Sequence, residues 1–386
     1  MFEERHITRA ILASLILLLP ALSCGKGGVD VPGRDDGSEP WAALTGDCPI
    51  TFAPAGIAPA TKSPSPLPSG TSFGVFAFYQ PGTIGGVPGA WGDGSLWSPN
   101  FMYNQRVQFD GSDCSYAPLK YWPNNEENTI TFWAYYPYED AETADPCIDR
   151  FRIVNSATTY SPTACGIPNI EYTTDGHTDF LVSDVKRDQH CRDEGDPNLP
   201  NNPDATVYFT FGHAMCWIDF IVRKVDPDDL YHIKLNVLQI KDIYFTGVLN
   251  QQLGWIATLG DKDDLTIFDD EGDPANRVEL NDHADPLHEP PVELLSLPAS
   301  GDPLIMPLPQ YLKWTSASIY VEYSLSRGDG PATVYVFDVP VGDIHEEWEM
   351  NMHYTYHINI NPGNPILFTA TVATWDAEEE VYYYFE

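Results

Sequence analysis

Positive charge is scarce in this chain: 20 lysines and arginines stand against 56 aspartates and glutamates among 386 residues, a formal charge of −36 at pH 7. Such a surface repels phosphate backbones and anionic headgroups. Nucleic acid is therefore excluded as a partner, and a basic patch is excluded as the source of any membrane attachment. Long apolar runs are also missing, apart from residues 11–22. That run is about a dozen residues long, well short of the ~20 that a spanning helix needs. The sequence has no Gly-x-Ser-x-Gly elbow, no phosphate-cradling glycine loop and no dinucleotide fingerprint. With 56 carboxylates, no pair stands out as a glycosidase acid and base, because their separation is not written in sequence. No catalytic residue, cofactor or metal site is assigned, and the chain reads as a non-enzyme.

The apolar run follows Arg5 and Arg9 and ends in Ala21-Leu22-Ser23-Cys24. A basic start, a short apolar stretch and small residues before a cysteine make a lipoprotein signal peptide over residues 1–23, with Cys24 as the acylated first residue of the exported protein. Ordinary secretory cleavage nearby is the alternative. One acyl chain holds a membrane only marginally, whereas the two or three chains of a bacterial lipoprotein anchor it stably in the outer membrane. Residues 24–47, rich in Gly, Pro, Asp and Ser, read as a flexible tether.

With Cys24 lipidated, Cys48, Cys114, Cys147, Cys165, Cys191 and Cys216 remain, an even set in an oxidising compartment. Six cysteines allow 15 connectivities, and the spacings match neither a zinc ribbon nor a Cys-x-x-Cys redox motif. Cys147 and Cys165 bracket one loop and are the first candidate pair.

From residue 50 onward, short β-rich runs recur between clusters of Pro, Gly, Asn and Asp: 50–52, 73–79, 106–109, 129–136, 206–211, 217–223, 319–325, 333–339, 354–360 and 367–374. Their period is two. In 354–360, Tyr354, Tyr356, Ile358 and Ile360 alternate with Thr355, His357 and Asn359, as a half-buried antiparallel strand demands. Many short strands with turn chemistry between them predict an all-β sandwich architecture. Residues 139–204 carry the least strand signal, and residues 261–291 form a second acidic insertion. The expected division is an N-terminal sandwich over 48–204 and a C-terminal one over 205–386. The closing aromatic run, 381–385, reads as the last strand of its own sheet, with a donor strand as the alternative.

Most candidate sites have a plain explanation. Trp122, Trp133, Tyr135, Tyr136 and Tyr138 suit sheet packing better than sugar stacking. Trp91 and Trp97, flanked by glycine and proline, are better candidates for ligand contact from a loop. His283 and His288, with Asp282, Asp285 and Glu289, have no helix on which to converge and read as solvated. The run Asp261, Asp263, Asp264, Asp269, Asp270, Glu271 and Asp273 lacks the glycine and final glutamate of an EF-hand, which leaves only calcium binding by loop carboxylates. His213 reads as a hydrogen-bonded structural histidine.

Several runs, taken in order, resemble the fimbrillin family of Bacteroidota pilus subunits. They are Ile50-Thr51-Phe52 followed by Ala60-Thr61-Lys62-Ser63, then Phe73-Gly74-Val75-Phe76-Ala77-Phe78-Tyr79, Phe101-Met102-Tyr103-Asn104-Gln105-Arg106-Val107 and Ala117-Pro118-Leu119-Lys120-Tyr121-Trp122-Pro123. Ile130-Thr131-Phe132-Trp133-Ala134-Tyr135-Tyr136-Pro137, Asp179-Phe180-Leu181, Phe209-Thr210-Phe211-Gly212-His213-Ala214, Pro307-Leu308-Pro309-Gln310 and Tyr354-x-Tyr356-x-Ile358 complete the series. The resemblance implies two tandem transthyretin-like β-sandwiches with long acidic loop insertions, in a lipoprotein exported to the cell surface. It implies further that, in polymerising members, a trypsin-like protease removes the first strand (here Ile50, Thr51, Phe52) and a strand of the next subunit fills the groove. Lys62 is the processing candidate that would release that strand. Arg34 suits an arginine-specific protease but lies upstream, so a cut there sheds only the tether. The partners so implied are other pilus subunits and outer-membrane lipid through Cys24. The alternative is a surface lipoprotein that never polymerises and binds glycans or host ligands.

Overall fold

A computed structural model of the chain describes residues 48–58, 67–80, 99, 101–123, 128–140, 142–144, 146–152, 169–191, 205–224, 231–250, 254–269, 292–297, 305–361, 366–374 and 381–384. They form the all-β architecture that the period-two pattern predicts. The one helical element among the described residues is a single 3-10 turn, Val341–Asp343.

Three large sheets make up the fold. The first has eight strands. β1 (Thr51–Ala58) lies at one margin, followed by β10 (Thr206–His213), β8 (Leu181–Ser183), β5 (Thr129–Tyr136), β2 (Thr71–Gln80), β3 (Met102–Phe109) and β4 (Cys114–Ser115), with β9 (Lys186–Gln189) also on β5. The second has five: β14 (Val292–Leu297), β11 (Trp217–Lys224), β19 (Met352–Ile360), β20 (Leu367–Thr374) and β21 (Val381–Tyr384). The third has six: β17 (Thr333–Pro340), β16 (Ser318–Arg327), β12 (Tyr231–Asn250), β7 (Asn169–Thr173) and β6 (Ile148–Arg152), with β13 (Gly254–Asp269) on β12. A small ladder joins β15 (Gln310–Tyr311) to β18 (Glu347–Trp348).

The five- and six-stranded sheets enclose one core. Ile218, Phe220 and Val222 of β11 and Tyr354, Tyr356, Ile358 and Ile360 of β19 meet Leu235, Leu238 and Ile240 of β12 and Ile319, Val321 and Tyr323 of β16. These are the inward positions of alternating strands. A second core lies between one face of the eight-stranded sheet and β6, β7 and the end of β12; it holds Phe76, Trp133, Tyr135, Ile170, Tyr172 and Leu249. β5 is buried on both faces, which accounts for its nearly continuous apolar sequence. Trp122, Trp133 and Tyr135 are fully buried, in keeping with the packing reading of the aromatic run.

Three sequence expectations need correction. Residues 139–204, read as strand-poor, contain β6, β7, β8 and β9. These strands are short, and β9, Lys-Arg-Asp-Gln, is held by backbone pairing to β5 rather than by an apolar face. The acidic stretch taken to begin at residue 261 is in its first part strand: Asp261, Asp263 and Asp264 lie on β13, which runs antiparallel to β12. Asp261, Asp263 and Asp264 are exposed, while Leu265, Ile267 and Phe268 pack on the core; a register shift between Asp263 and Leu265 separates the two stretches. β12 itself, 20 residues long, has no counterpart among the expected strands. Its first half pairs with β16 and its last five residues with β7, so strands from both sides of residue 204 share a sheet. β10 likewise sits beside β1 and β8. β21 pairs with β20, its own sheet's neighbour.

Two of the sequence motifs meet in space. Asp179 Oδ1 lies 2.8 Å from His213 Nδ1, and the Ala214 N–H donates to the Phe180 carbonyl. His213 is thus the hydrogen-bonded structural residue expected. Gln310 of the Pro-Leu-Pro-Gln motif imitates a strand neighbour: its Oε1 accepts from the Tyr244 N–H at 3.0 Å and its Nε2 donates to the Tyr244 carbonyl at 3.2 Å.

Candidate functional site: the first strand and its cradle

Ile50, Thr51 and Phe52, named from sequence, lie at the start of β1, inside the ladder of the eight-stranded sheet. β1 runs parallel to β10 from Thr51↔Thr206 to Ala58↔Gly212. The other margin of the sheet comes round to meet it. Pro49 bridges Tyr121, the Ile50 N–H donates to the Lys120 carbonyl at 2.9 Å, and the Trp122 N–H donates to the Cys48 carbonyl at 3.0 Å. The start of the strand is therefore bound from both sides, beside an aromatic core.

Phe52 is the wedge in that core. Its ring lies 5.3 Å from Tyr116, 5.8 Å from Phe132 and 5.8 Å from Phe209, stacked on the last. Phe73 extends the cluster to Phe209 and Phe211, and Trp122 packs edge-on against Phe132. Burying one phenyl group is worth about 1.5–3 kcal/mol, and aromatic pairs add about 0.5–1.5 kcal/mol. Polar contacts fix the strand's entry. Tyr116 Oη donates to the Ile50 carbonyl at 2.9 Å, and burial pushes this phenol up to about 12. The Ala205 carbonyl accepts both the Thr51 N–H at 3.1 Å and Trp122 Nε1 at 3.0 Å. Ala205 has φ +61°, a left-handed conformation that costs a residue with a Cβ roughly 1–2 kcal/mol. Its two donors hold it there.

Three features mark β1 beyond its anchored start. It is a marginal strand in a parallel pair, the slightly weaker ladder type. Pro54 contributes no N–H, and the register breaks between Pro54 and Gly56; proline within a sheet is confined to such edges and bulges. Residues 49–61 carry no charge in a chain of formal charge −36. Stripping β1 away would leave one side of β10 without ladder partners and an apolar slot between Tyr116, Phe132 and Phe209. Such an edge is a template for another strand.

Cys24, Arg34, Lys62, Trp91, Trp97, Cys165, His283 and His288 lie outside the described residues. Lys62 nevertheless falls, in sequence, between the end of β1 at Ala58 and the start of β2 at Thr71. Cys147 is buried, with its N–H donating to Glu139 Oε1 at 3.2 Å, and burial raises both that thiol and the Glu139 carboxyl. Sequence reasoning named Phe52, Trp122, Phe132 and Phe209 but missed Tyr116 and Ala205. An isolated tyrosine and a left-handed alanine carry no pattern.

One other cluster has the residue types of catalysis. His353 Nε2 lies 2.8 Å from Asp219 Oδ2 and 3.2 Å from Thr355 Oγ1, while its ring stacks on Trp217 at 4.0 Å. A nucleophile triad needs the carboxylate on one imidazole nitrogen and the hydroxyl on the other. Here both address Nε2, and Trp217 Nε1 also donates to Asp219 at 2.6 Å, so the cluster is a structural network joining β11 to β19.

The family model described as fimbrillin-like matches residues 61–375. Over 168 residues, 42% of this chain, the sequence is 31% identical to fimbrium subunit Fim1C of Phocaeicola vulgatus; the match spans 39% of that relative's length. Among solved structures, a fimbrial protein from Bacteroides vulgatus shares the fold at TM-score 0.53 and 16% identity, over 85% of this chain and 99% of that one.

Proposed function

The chain belongs to the fimbrillin-like family, and on that premise we propose that it is a cell-surface pilus subunit that polymerises by strand exchange at the β1 position. A cut at Lys62 frees β1, and a strand from the next subunit takes its place beside β10. The incoming strand gains a full parallel or antiparallel ladder and seats an apolar side chain in the slot left by Phe52. Export as a lipoprotein through Cys24 delivers the subunit to the outer membrane, and the same cut releases it from the lipid. The partners are then other pilus subunits. The observation that carries this reading is the construction of β1: a proline-broken, uncharged marginal strand whose one aromatic side chain plugs an aromatic core.

Limited trypsin digestion of the full chain tests it, in dithiothreitol so that no intersubunit thiol cross-link contributes. The expected product begins at Ser63 and forms detergent-resistant ladders that collapse on boiling, while Lys62→Ala blocks them. A cleaved protein that remains monomeric contradicts the reading. It would favour a monomeric surface lipoprotein that binds glycans or host ligands. One observation favours that second reading: Trp314 is 87% exposed at φ +62°, with Tyr311 beside it.

A further inference from the structure

Cys48 lies three residues ahead of β1 and Cys191 two residues beyond the end of β9. Their Sγ atoms are 3.0 Å apart across 143 positions of sequence. Backbone pairing brings them together: the Cys48 carbonyl accepts from Trp122, Pro49 bridges Tyr121, and Gln189 pairs with Ile130 on β5. The separation leaves no room for an intervening atom and is about 1 Å longer than a disulfide bond.

The other described cysteines are placed differently. Cys216 is wholly buried, with its thiol raised well above its usual range by burial and donating to the Pro307 carbonyl. Burial also raises Cys147. Burial together with Asp110 and Asp113 pushes Cys114 up to about 12. At all three, burial disfavours the thiolate, the reactive form.

We propose that Cys48 and Cys191 form a disulfide in the exported protein, and that this bond is a covalent latch on the first strand. The chemistry is thiol–disulfide exchange with an oxidant that is itself a disulfide, borne by a protein or a small molecule. One cysteine thiolate attacks the oxidant, forming a mixed disulfide and expelling one thiolate. The second cysteine, as thiolate, then attacks the sulfur of the first and expels the other. Two protein thiols give up two protons and two electrons, and the oxidant leaves as two thiols.

The consequence rests on the strand-exchange reading. A cut at Lys62 severs the connection from β1 to β2 but leaves the segment from Cys24 to Lys62 bonded to the body through Cys191. Proteolysis alone then neither opens the edge of β10 nor frees the subunit from its lipid. Reduction of one bond does both.

The test uses full-length protein exported to an oxidising compartment, alkylated with iodoacetamide before unfolding and mapped by mass spectrometry without reductant. The expected species is tryptic peptide 35–62 linked to 188–192. Alkylated thiols at both positions overturn the latch, whatever the protein does in assembly. On non-reducing denaturing gels, trypsin-cut wild type is expected to retain the segment ending at Lys62 until dithiothreitol is added, whereas Cys191→Ser loses it on trypsin treatment alone. Loss of that segment from wild type without reductant also overturns the latch. A linked peptide, together with a cut and reduced protein that stays monomeric, upholds the latch and removes the polymerisation reading instead.

Discussion

Phe52 concentrates the energetics of the site in one side chain. It touches Tyr116, Phe132 and Phe209 at ring separations of 5.3–5.8 Å, and no neighbouring side chain in β1 reaches that core as a second ring. Phe52→Ala is expected to destabilise the intact subunit by about 3–5 kcal/mol, read from the shift in urea midpoint. A loss below about 1 kcal/mol would mean that the slot collapses around the gap and makes a poor acceptor for any strand. His345 sets a residue-scale pH dependence. Burial lowers its pKa from 6.5 to about 4, beside the rings of Tyr354 and Tyr356. Between those two values the unfolded chain binds the proton and the folded one does not, so stability rises with pH across that window and is lost as pH falls from 6.5 towards 4. His345→Gln should flatten this part of the profile by up to about one proton's worth of slope, in urea midpoints compared at pH steps with wild type.

Glycine and bulges govern what the elements do. Gly74 of β2 lies opposite Tyr135 of β5, and a Cβ there would stand 2.2 Å from Tyr135 Cε1 and 2.9 Å from Asn104 Oδ1. The Tyr135 hydroxyl donates to that same Asn104 oxygen at 2.7 Å, so the ring has nowhere to go. Gly74→Ala is therefore expected to cost about 1–3 kcal/mol by thermal or chemical unfolding, an overpacking effect. Elements whose apolar pattern runs without interruption were legible in sequence: β5 and β20 have the bounds expected, and β19 buries the tyrosines and isoleucines assigned to its inner face. β12 was illegible because it is bulged. As far as residue 243 its buried positions are Ile233 and Leu235, then Leu238 and Ile240, then Ile243, and the register shifts at each change of parity. A bulge turns successive residues to the opposite face, so a window of fixed period averages the signal away. β13 was masked by aspartates on its solvent side, and β9 by having no apolar residue at all. At the site, aromatic motifs disclosed the cradle of Phe52. The polar clamp from Tyr116 and the approach of Cys48 to Cys191 depend on how the sheet's margins meet, which no local pattern records.

For the whole molecule, the charge of −36 opposes any association between copies, while β1 carries none of it. Repulsion between like-charged subunits is long-ranged and screened by salt, with a Debye length of about 10 Å at 0.1 M and about 3 Å at 1 M. Assembly of cleaved, reduced subunits is therefore expected to accelerate severalfold as ionic strength rises from about 0.02 M to about 0.5 M, as followed by light scattering; a rate that falls with salt would point to an interface of opposite charges instead. On the strand-exchange reading, lipid attachment falls to Cys24 rather than to protein charge, and cleavage at Lys62 followed by reduction of the Cys48–Cys191 bond is a release from the membrane as well as an activation. The most direct measurement is the N-terminal residue of subunits recovered from assembled fibres after reduction. The strand-exchange account predicts Ser63, with residues 51–58 gone from the chain. Fibres whose subunits still begin at an acylated Cys24, with β1 intact, would contradict it.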